Sequence, residues 1–194
     1  MITIDFYNEH AQDFYHRTVN VDMRELYAPF LALLPAGAHI LDAGCGSGRD
    51  SLYFKQHGYQ VTALDASAEL VKLSSQLLQQ PVLHLTFQEV DFDERFDGIW
   101  ACASLLHVPR IEIDDVLRRL TKALKPGAIL FTSFKYGNTE QERGGRLFNS
   151  YDEPTFGELL TRHPRLEPLK TWTSGDLRNG RHTEEWLDVI MRKR

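Results

Sequence analysis

The chain contains 194 residues, of which 42% are hydrophobic and 25% are charged, and its formal net charge at neutral pH is −5. This length and composition are typical of one globular domain with a sizeable buried core. The negative balance excludes an overall positive field that would attract nucleic acid, so we expect no nucleic-acid partner.

The cysteines and the hydropathy pattern predict where in the cell the protein is located. Cys45 and Cys102 lack the spacing of metal ligands, and two reduced cysteines are typical of a reducing compartment. The N-terminus has no basic stretch followed by a long apolar run, which predicts that there is no signal peptide. No apolar stretch approaches the ~18 residues that a membrane span needs. We therefore expect a cytoplasmic protein without a metal site or a membrane partner.

The N-terminal segment predicts two helices within residues 5–34. Asp22 followed by Glu25 resembles a capping box in front of the second helix, which Pro35 and Gly37 end. In the first helix, aromatic and small residues recur at the spacing of one helical face: Phe6, Tyr7, Ala11, Phe14 and Tyr15.

From residue 38 the periodicity changes to strands that alternate with helices. This alternation predicts a parallel sheet covered by helices on both faces. The predicted strands cover residues 38–41, 60–64, 82–87, 96–103 and 128–134, and the predicted helices cover residues 47–57, 67–78 and 111–124. After a further helix, two late strands at residues 166–172 and 185–191 are expected to form an antiparallel hairpin on one edge of the sheet.

A cluster of glycines follows the first predicted strand. Gly44, Gly46 and Gly48 remove Cβ atoms where the backbone bends sharply and where a ligand would approach it closely. The helix that follows offers unpaired N–H groups to that ligand. The G-x-G-x-G spacing differs from the dinucleotide fingerprint. A tight turn without a ligand would need only one or two glycines, so we interpret the cluster as a ligand-binding loop.

An acidic residue ends the second predicted strand. Ligands of open α/β sheets bind beyond the carboxyl ends of the strands, where Asp65 is expected to lie. Its carboxylate can accept two hydrogen bonds from a ribose diol. The alternative is that Asp65 only caps the next helix, a role that Ser67 can also fill.

These motifs resemble a known family. The segment Leu41–Gly48 is similar to the first motif of the class I S-adenosylmethionine-dependent methyltransferases, and the resemblance extends over residues 38–135. The compact size and Gly48–Asp50 resemble the small bacterial branch that includes tellurite-resistance methyltransferases. The resemblance implies an α/β, three-layer Rossmann-like sandwich with a seven-stranded, mostly parallel sheet and an antiparallel final strand, and S-adenosyl-L-methionine as the cofactor.

The resemblance also implies a set of cofactor-binding residues. Many relatives carry an acid after the third strand that meets the adenine amino group, but here Thr86 stands at that position and Glu89 and Asp91 lie further along the chain. The tyrosines in the set have a second interpretation, as the core-facing side of a helix. The set is Tyr7, Tyr15, Thr18, Asp42, Gly44, Cys45, Gly46, Arg49, Asp65, Ala66, Phe87 and Ala101.

Candidate residues for the methyl acceptor are fewer. His107 follows the fourth strand and would titrate near neutrality as a proton acceptor, although a structural histidine fits the pattern equally well. Tyr136 is the second candidate for a catalytic role. Arg146 and Arg181 are candidates for binding an acidic acceptor through paired hydrogen bonds, with Arg143, Arg178 and His182 nearby in sequence.

The sequence therefore predicts a methyltransferase that acts on a small molecule by in-line displacement. That reaction needs alignment and exclusion of water more than acid–base groups. The alternatives are a cofactor-binding regulatory module without transfer activity and a nicotinamide-dependent oxidoreductase, whose fingerprint and catalytic pair we do not find.

We expect one domain over residues 1–194, divided into three parts. Residues 1–37 form an N-terminal helical cap, residues 38–135 form the cofactor-binding core, and residues 136–194 form the acceptor-side segment and the terminal hairpin. Residues 136–152 are predicted to act as a mobile lid, with Phe148 as its apolar latch.

Overall fold

A seven-stranded sheet organises the molecule. The computed structural model describes residues 2–178 and 184–194. The strands of the main sheet follow the order β3-β2-β1-β4-β5-β9-β8. Their bounds are β1 His39–Ala43, β2 Gln60–Asp65, β3 Leu83–His84, β4 Phe96–Ala101, β5 Leu124–Lys135, β8 Leu166–Gly175 and β9 Glu185–Lys193.

The strand order places a crevice at the carboxyl end of β1. This strand pairs in parallel with β2 on one side and with β4 on the other, so the chain changes direction across the sheet at β1. In open α/β sheets, ligands bind at such a point. β9 lies antiparallel between β5 and β8. The predicted fold, mostly parallel with one antiparallel final strand, is confirmed.

Helices cover both faces of this sheet. On one face, α6 and α7 bury a long apolar stripe that includes Leu117 and Phe156. On the other face, Phe30 from α3 and Phe54 from α4 pack against Trp100 of β4. Each such buried side chain contributes about 1.5–3 kcal/mol to folding. The helices are α1 Ile2–Glu9, α2 Ala11–Thr18, α3 Arg24–Leu31, α4 Arg49–Gln56, α5 Ala68–Leu78, α6 Arg110–Ala123 and α7 Glu153–Thr161.

None of the helices in the described residues combines the length and the apolarity needed to cross a lipid bilayer.

The N-terminal segment differs from its prediction. It forms three helices, because the chain breaks at His10 between α1 and α2. The expected capping box at Asp22 is wrong: Met23 precedes α3, and the carboxylate of Asp22 instead accepts hydrogen bonds from the backbone and side chain of Arg24. The predicted cap by Ser67 is confirmed, since its Oγ accepts a hydrogen bond from the backbone N–H of Leu70 at the start of α5.

The third strand is much shorter than predicted. β3 contains only Leu83 and His84, and Phe87 begins a short 3₁₀ turn that ends at Glu89. The Glu89 carboxylate accepts hydrogen bonds from the backbone N–H and the hydroxyl of Thr86. This capping arrangement stabilises a turn where the residue pattern alone favoured a longer strand.

The polar segment after β5 contains a second, two-stranded sheet. Strands β6 Glu140–Arg143 and β7 Arg146–Asn149 form an antiparallel hairpin through Gly144 and Gly145, both at positive φ. The backbone N–H of Leu147 in β7 donates to the hydroxyl of Thr3 in α1. The hairpin is thus attached to the N-terminal helices, and its proposed motion as a lid stays a prediction.

Candidate functional site

The glycine loop is held by backbone hydrogen bonds and by close neighbours. The N–H groups of Gly44 and Cys45 both donate to the carbonyl oxygen of Leu64 at 2.9 Å, which ties the loop to β2. Gly44 has a φ of +83°, and a Cβ built on it would lie 2.5 Å from the Cβ of Ser104. Glycine is therefore required at Gly44 by the protein itself, in addition to any ligand.

Gly46 has a different environment from Gly44. Its φ is +53°, and a Cβ built there would meet the ring of Phe14 at 3.0 Å. Phe14 belongs to α2, so an N-terminal helix covers the loop at this point. An aromatic ring on a separate helix shifts more easily than backbone does. The space next to Gly46 can therefore widen when the ring of Phe14 moves.

Asp65 at the end of β2 is tied to the loop. Its Oδ2 accepts a hydrogen bond from the N–H of Gly46 at 2.8 Å, and its Oδ1 accepts one from the N–H of Ser67 at 2.9 Å. Burial raises the pKa of Asp65, and these backbone donors oppose that shift. Each oxygen keeps a further lone pair, so the carboxylate can accept two hydroxyl groups on the side that faces the cavity.

Two cavities meet above the loop. One has a volume of about 320 Å³ and extends past Asp65 towards Phe87, and the other has a volume of about 610 Å³ and extends towards β9. Both volumes lie within roughly the 300–1,000 Å³ of ligand pockets. The two cavities share six lining residues, namely Tyr7, Phe14, Gly44, Gly46, Ala103 and His107.

Among the residues that the structure describes, the smaller cavity lacks the acid that many proteins of the resembled family carry after the third strand. Thr86, Phe87 and Gln88 line it beyond Asp65. Glu89 is engaged by Thr86, and Asp91 pairs with Lys122 at 2.7 Å, so neither acid lies on the cavity wall. Backbone groups and the ring of Phe87 are therefore the groups available to an adenine at this end.

A buried charge cluster supports the loop from the other side. The carboxylate of Asp50 accepts hydrogen bonds from Arg49 at 2.6 Å, Tyr27 at 2.5 Å and Trp100 at 2.8 Å. Burial opposes its ionisation, but Arg49 and these donors hold the pKa of Asp50 below its usual value. Burial and the charge of Asp50 raise the pKa of Asp42 well above its usual value.

His107 stands at the junction of the two cavities in a fixed orientation. Its Nδ1 lies 2.7 Å from the carbonyl oxygen of Leu147, and its Nε2 lies 2.9 Å from the hydroxyl of Tyr7. Because a carbonyl only accepts, Nδ1 carries the proton and Tyr7 donates to Nε2. Burial lowers the pKa of His107 to about 4. The prediction that it titrates near neutrality is therefore wrong, and the neutral ring orients Tyr7.

Arg146 brings a positive charge to the same junction. Its guanidinium lies 4.4 Å from the ring centre of Phe6, 5.0 Å from that of Phe148 and 5.9 Å from that of Tyr7. Its buried Nε has no hydrogen-bond partner within the described residues. Burial raises the pKa of the Tyr7 hydroxyl, and Arg146 opposes this shift.

The far wall of the larger cavity comes from β5, β8 and β9. Ser133, Ser174, Trp186 and Asp188 line it. Trp186 lies beneath the ammonium of Lys135, whose Nζ is 4.4 Å from the ring centre. This wall contains indole surface and hydroxyl groups next to the carboxylates of Asp188 and Glu185.

Most of the residues predicted for the site line one of the cavities, but some do not. Tyr136 lines the larger cavity, yet it is exposed and its hydroxyl donates to Glu153 at 2.7 Å, which turns the hydroxyl away from a catalytic role. Arg181 and His182 lie outside the described residues. The lining set is Tyr7, Thr18, Gly44, Cys45, Gly46, Arg49, Asp65, Ala66, Phe87, His107, Tyr136 and Arg146.

Three predicted cofactor residues line neither cavity. Tyr15 follows Phe14 in α2, and its ring packs edge-on against His16. Asp42 is buried and accepts a hydrogen bond from Ser51 at 2.6 Å, and Ala101 is fully buried in β4. Their places near the site are structural.

Sequence reasoning missed several lining residues. Phe14 is absent from the predicted set, although its spacing from Tyr7 already placed both on one helical face. Ala103 and Ser104 follow β4 directly, where the carboxyl end of a central strand indicates a site. Asp188 had no sequence signal, because an acid within an apolar strand points outward as often as inward.

Comparison with known proteins finds methyltransferases. A family model described as "Methyltransferase domain" matches residues 41–132, the segment that carries the glycine loop, Asp65 and β4. Nearly half of the chain is therefore similar to a methyltransferase domain, and this half contains the motifs that the sequence analysis compared with the class I S-adenosylmethionine-dependent methyltransferases.

Individual methyltransferases extend this match. The chain is 33% identical over 140 residues to a malonyl-[acyl-carrier protein] O-methyltransferase of Enterobacter lignolyticus, covering 68% of this chain and 53% of that protein. It is 33% identical over 103 residues to a ubiquinone biosynthesis O-methyltransferase of Coxiella burnetii, covering 50% of this chain and 43% of that protein. The chain thus spans about half the length of the curated relatives it matches.

Solved methyltransferase structures share the whole fold. The 1,6-didemethyltoxoflavin-N1-methyltransferase of Burkholderia thailandensis superposes with a TM-score of 0.78 and 26% identity, over 97% of this chain and 85% of that one. The N-methyltransferase NodS of Bradyrhizobium japonicum superposes with a TM-score of 0.74, over 96% of this chain and 97% of that one. At 16% identity, the second match concerns the fold alone.

Proposed function

We propose that this chain transfers the methyl group of S-adenosyl-L-methionine to a small-molecule acceptor bound in the larger cavity. The observation that carries the proposal is the meeting of two cavities at one loop: Gly44 and Gly46 form a wall of both, and Asp65 faces the smaller one. A nucleoside in the smaller cavity would present its attached sulfonium to whatever the larger cavity holds.

The described residues fit this cofactor. The carboxylate of Asp65 would accept the ribose hydroxyls, the ring of Phe87 would pack on the adenine, and Thr18, Cys45 and Arg49 would surround the amino-acid part. When bound, S-adenosyl-L-methionine supplies an electrophilic methyl group on a positively charged sulfur. The buried position of Ser104 against Gly44 supports a loop that is rigid before the ligand arrives.

The chain contributes alignment and exclusion of water to the reaction. Tyr7 and Phe14 lie over the junction, and β7 adds Phe148 and Arg146. A displacement at a sulfonium needs a nucleophile held in line and kept dry, because the leaving group is already good. His107, with its low pKa and its engaged Nε2, would position the Tyr7 hydroxyl at the junction.

Several observations support a small acceptor. The larger cavity has a volume of about 610 Å³, which suits a small molecule. The Burkholderia methyltransferase that shares the fold was solved with 1,6-didemethyltoxoflavin and S-adenosylhomocysteine bound. We further propose that the three segments have the roles expected from the sequence. Residues 1–37 would cover the site, residues 38–135 would bind the cofactor (the cofactor half), and residues 136–194 would bind the acceptor (the acceptor half).

Calorimetry and an activity assay test the proposal. S-adenosylhomocysteine should bind and raise the melting temperature, whereas a nicotinamide dinucleotide should change neither; the opposite result would favour an oxidoreductase. Incubation with labelled S-adenosyl-L-methionine and a panel of small amines, phenols and carboxylic acids should yield a labelled product and S-adenosylhomocysteine. Tight cofactor binding without turnover of any acceptor would favour the regulatory module instead.

A further inference from the structure

Asp188 is a buried carboxylate without a cationic partner among residues 2–178 and 184–194. Its side chain has no exposed surface, and within those residues the hydroxyl of Ser174 is the one group that opposes the effect of burial on its pKa. A buried, unpaired carboxylate costs several kcal/mol relative to one in water, so proteins rarely retain one without a use.

The position of Asp188 connects it to the acceptor side of the site. It lies on β9, paired in register with Ser133 of β5 and with Trp172 of β8. It lines the larger cavity together with Ser133 and Ser174. The Ser133 hydroxyl is already used, because its Oγ accepts a hydrogen bond from the N–H of Ala103 at 2.7 Å.

The other buried acids on this cavity have cationic partners. Asp50 pairs with Arg49 at 2.6 Å, and Asp176 pairs with the guanidinium of Arg178. Burial raises the pKa of Asp188 to about 6, and within the described residues the hydroxyl of Ser174, rather than a cation, opposes this shift. A ligand with an N–H group or a positive charge would supply to Asp188 the hydrogen bond or the charge that Arg49 supplies to Asp50 and Arg178 to Asp176.

We propose that Asp188 binds a nitrogen-bearing group of the methyl acceptor, so that the acceptor class is an amine or N–H heterocycle rather than a carboxylate. This inference rests on the proposed function. The indole of Trp186 and the side chains of Met23 and Leu26 line the same cavity and suit an apolar body attached to that nitrogen. A carboxylate acceptor would meet Asp188 as a like charge in a buried site, which disfavours binding.

A binding experiment with three matched probes tests this assignment. Benzylamine, benzyl alcohol and benzoate have the same apolar body and carry a cation, a neutral hydroxyl and an anion. Binding is measured by calorimetry on the free protein and on protein loaded with S-adenosylhomocysteine, so that no turnover is needed. Benzylamine should bind about 10-fold or more tightly than benzoate.

Two variants make the result specific. Asp188→Asn keeps the size of the side chain and removes its charge, and it should weaken benzylamine about 10-fold while leaving benzyl alcohol within about 2-fold. Glu167→Gln removes an acid at the other end of the same hairpin, where it pairs with Arg194, and should change neither affinity. Failure of benzylamine to bind, equal binding of benzylamine and benzoate, or an unchanged preference in Asp188→Asn would each overturn the assignment.

The outcome can be separated from that of the proposed function. If S-adenosylhomocysteine does not bind, the proposed function fails, while the probe series on the free protein still decides whether Asp188 selects nitrogen. If S-adenosylhomocysteine binds and the probe series contradicts the amine preference, only the assignment of Asp188 fails.

Discussion

The glycine loop and the wall of β5, β8 and β9 each hold a carboxylate, but the two carboxylates differ in the hydrogen bonds that the described residues donate to them. Asp65 accepts hydrogen bonds from the N–H groups of Gly46 and Ser67, which the chain supplies from within the same region. Asp188 is at least as deeply buried, and within the described residues only the hydroxyl of Ser174 opposes the effect of burial on its pKa. The cofactor side is therefore complete as folded, whereas the acceptor side keeps one strong hydrogen-bond acceptor for a ligand.

The largest expected effect tests the rigidity of the loop. Gly44→Val introduces a side chain at positive φ and into the Cβ of Ser104, and should lower the free energy of unfolding by about 3–5 kcal/mol. Gly37→Val is the matched control, because Gly37 has a φ of +72° but open space around its Cβ position. It should cost about 1–2 kcal/mol in the same urea titration. Equal losses would mean that Ser104 does not confine the loop.

The next effect sharpens the contrast between the two acids through pH. The pKa of Asp188 in the folded state is about 6, above the usual value of 3.8. Ionisation of Asp188 therefore destabilises the folded state above pH 6, and this penalty disappears as the pH falls towards 4. The free energy of unfolding of Asp188→Asn minus that of the parent protein should therefore be up to about 3 kcal/mol more favourable at pH 7 than at pH 4.

Asp176→Asn is the control for this pH experiment. Burial opposes the ionisation of Asp176, but hydrogen bonds from Arg178 lower its pKa, so its contribution to stability is present at pH 7 and is lost as the pH falls. The two variants should thus show opposite pH dependence in urea titrations at pH 4 and pH 7. A stability of Asp188→Asn that runs parallel to that of the parent would mean that the pKa of Asp188 is the same in the folded and the unfolded state.

The third effect concerns cofactor affinity. Asp65→Asn removes the charge that would bind the ribose, and should weaken S-adenosylhomocysteine by about 2 kcal/mol, which is about 30-fold. Asp97→Asn is a suitable control, because Asp97 accepts a hydrogen bond from the N–H of His39 at the opposite end of the sheet. Full affinity in a folded Asp65→Asn variant would remove the ribose assignment.

The smallest effect concerns the junction between the two regions. Tyr7→Phe removes the hydroxyl that donates to Nε2 of His107, and should lower the free energy of unfolding by about 1 kcal/mol. Tyr15→Phe, on a tyrosine that lines neither cavity, should change it by less than about 0.5 kcal/mol. Similar losses in both variants would argue against a fixed Tyr7–His107 pair.

The cofactor half was largely predictable from the sequence because its signals are local. The glycines of the loop, the acid at the end of β2 and the cap at Ser67 each depend on residues close together in the chain. The parallel pairing of the strands followed from their alternation with helices. The errors in this half, such as the length of β3, come from single side-chain hydrogen bonds like that of Thr86 with Glu89.

The acceptor half was less predictable because its contacts are distant in sequence. His107 meets Tyr7 and Leu147, and Asp188 meets the cavity only through the register of β9 on β5. A shift of one residue in that register would turn Asp188 to the other face of the sheet. The charge of the arginines indicated an acidic acceptor, whereas in the structure Arg178 already pairs with Asp176.

Trp186 gives the acceptor wall an optical signal of its own. Trp100 is fully buried and stacks on Phe131 at 4.0 Å, so its fluorescence should stay constant when the cavity fills. The indole of Trp186 is half-buried on the cavity wall beneath the ammonium of Lys135, and indole emission responds to nearby charge and to contact with water. A molecule that displaces water from this wall therefore changes the emission spectrum, and the unlabelled protein becomes a sensor for its own acceptor.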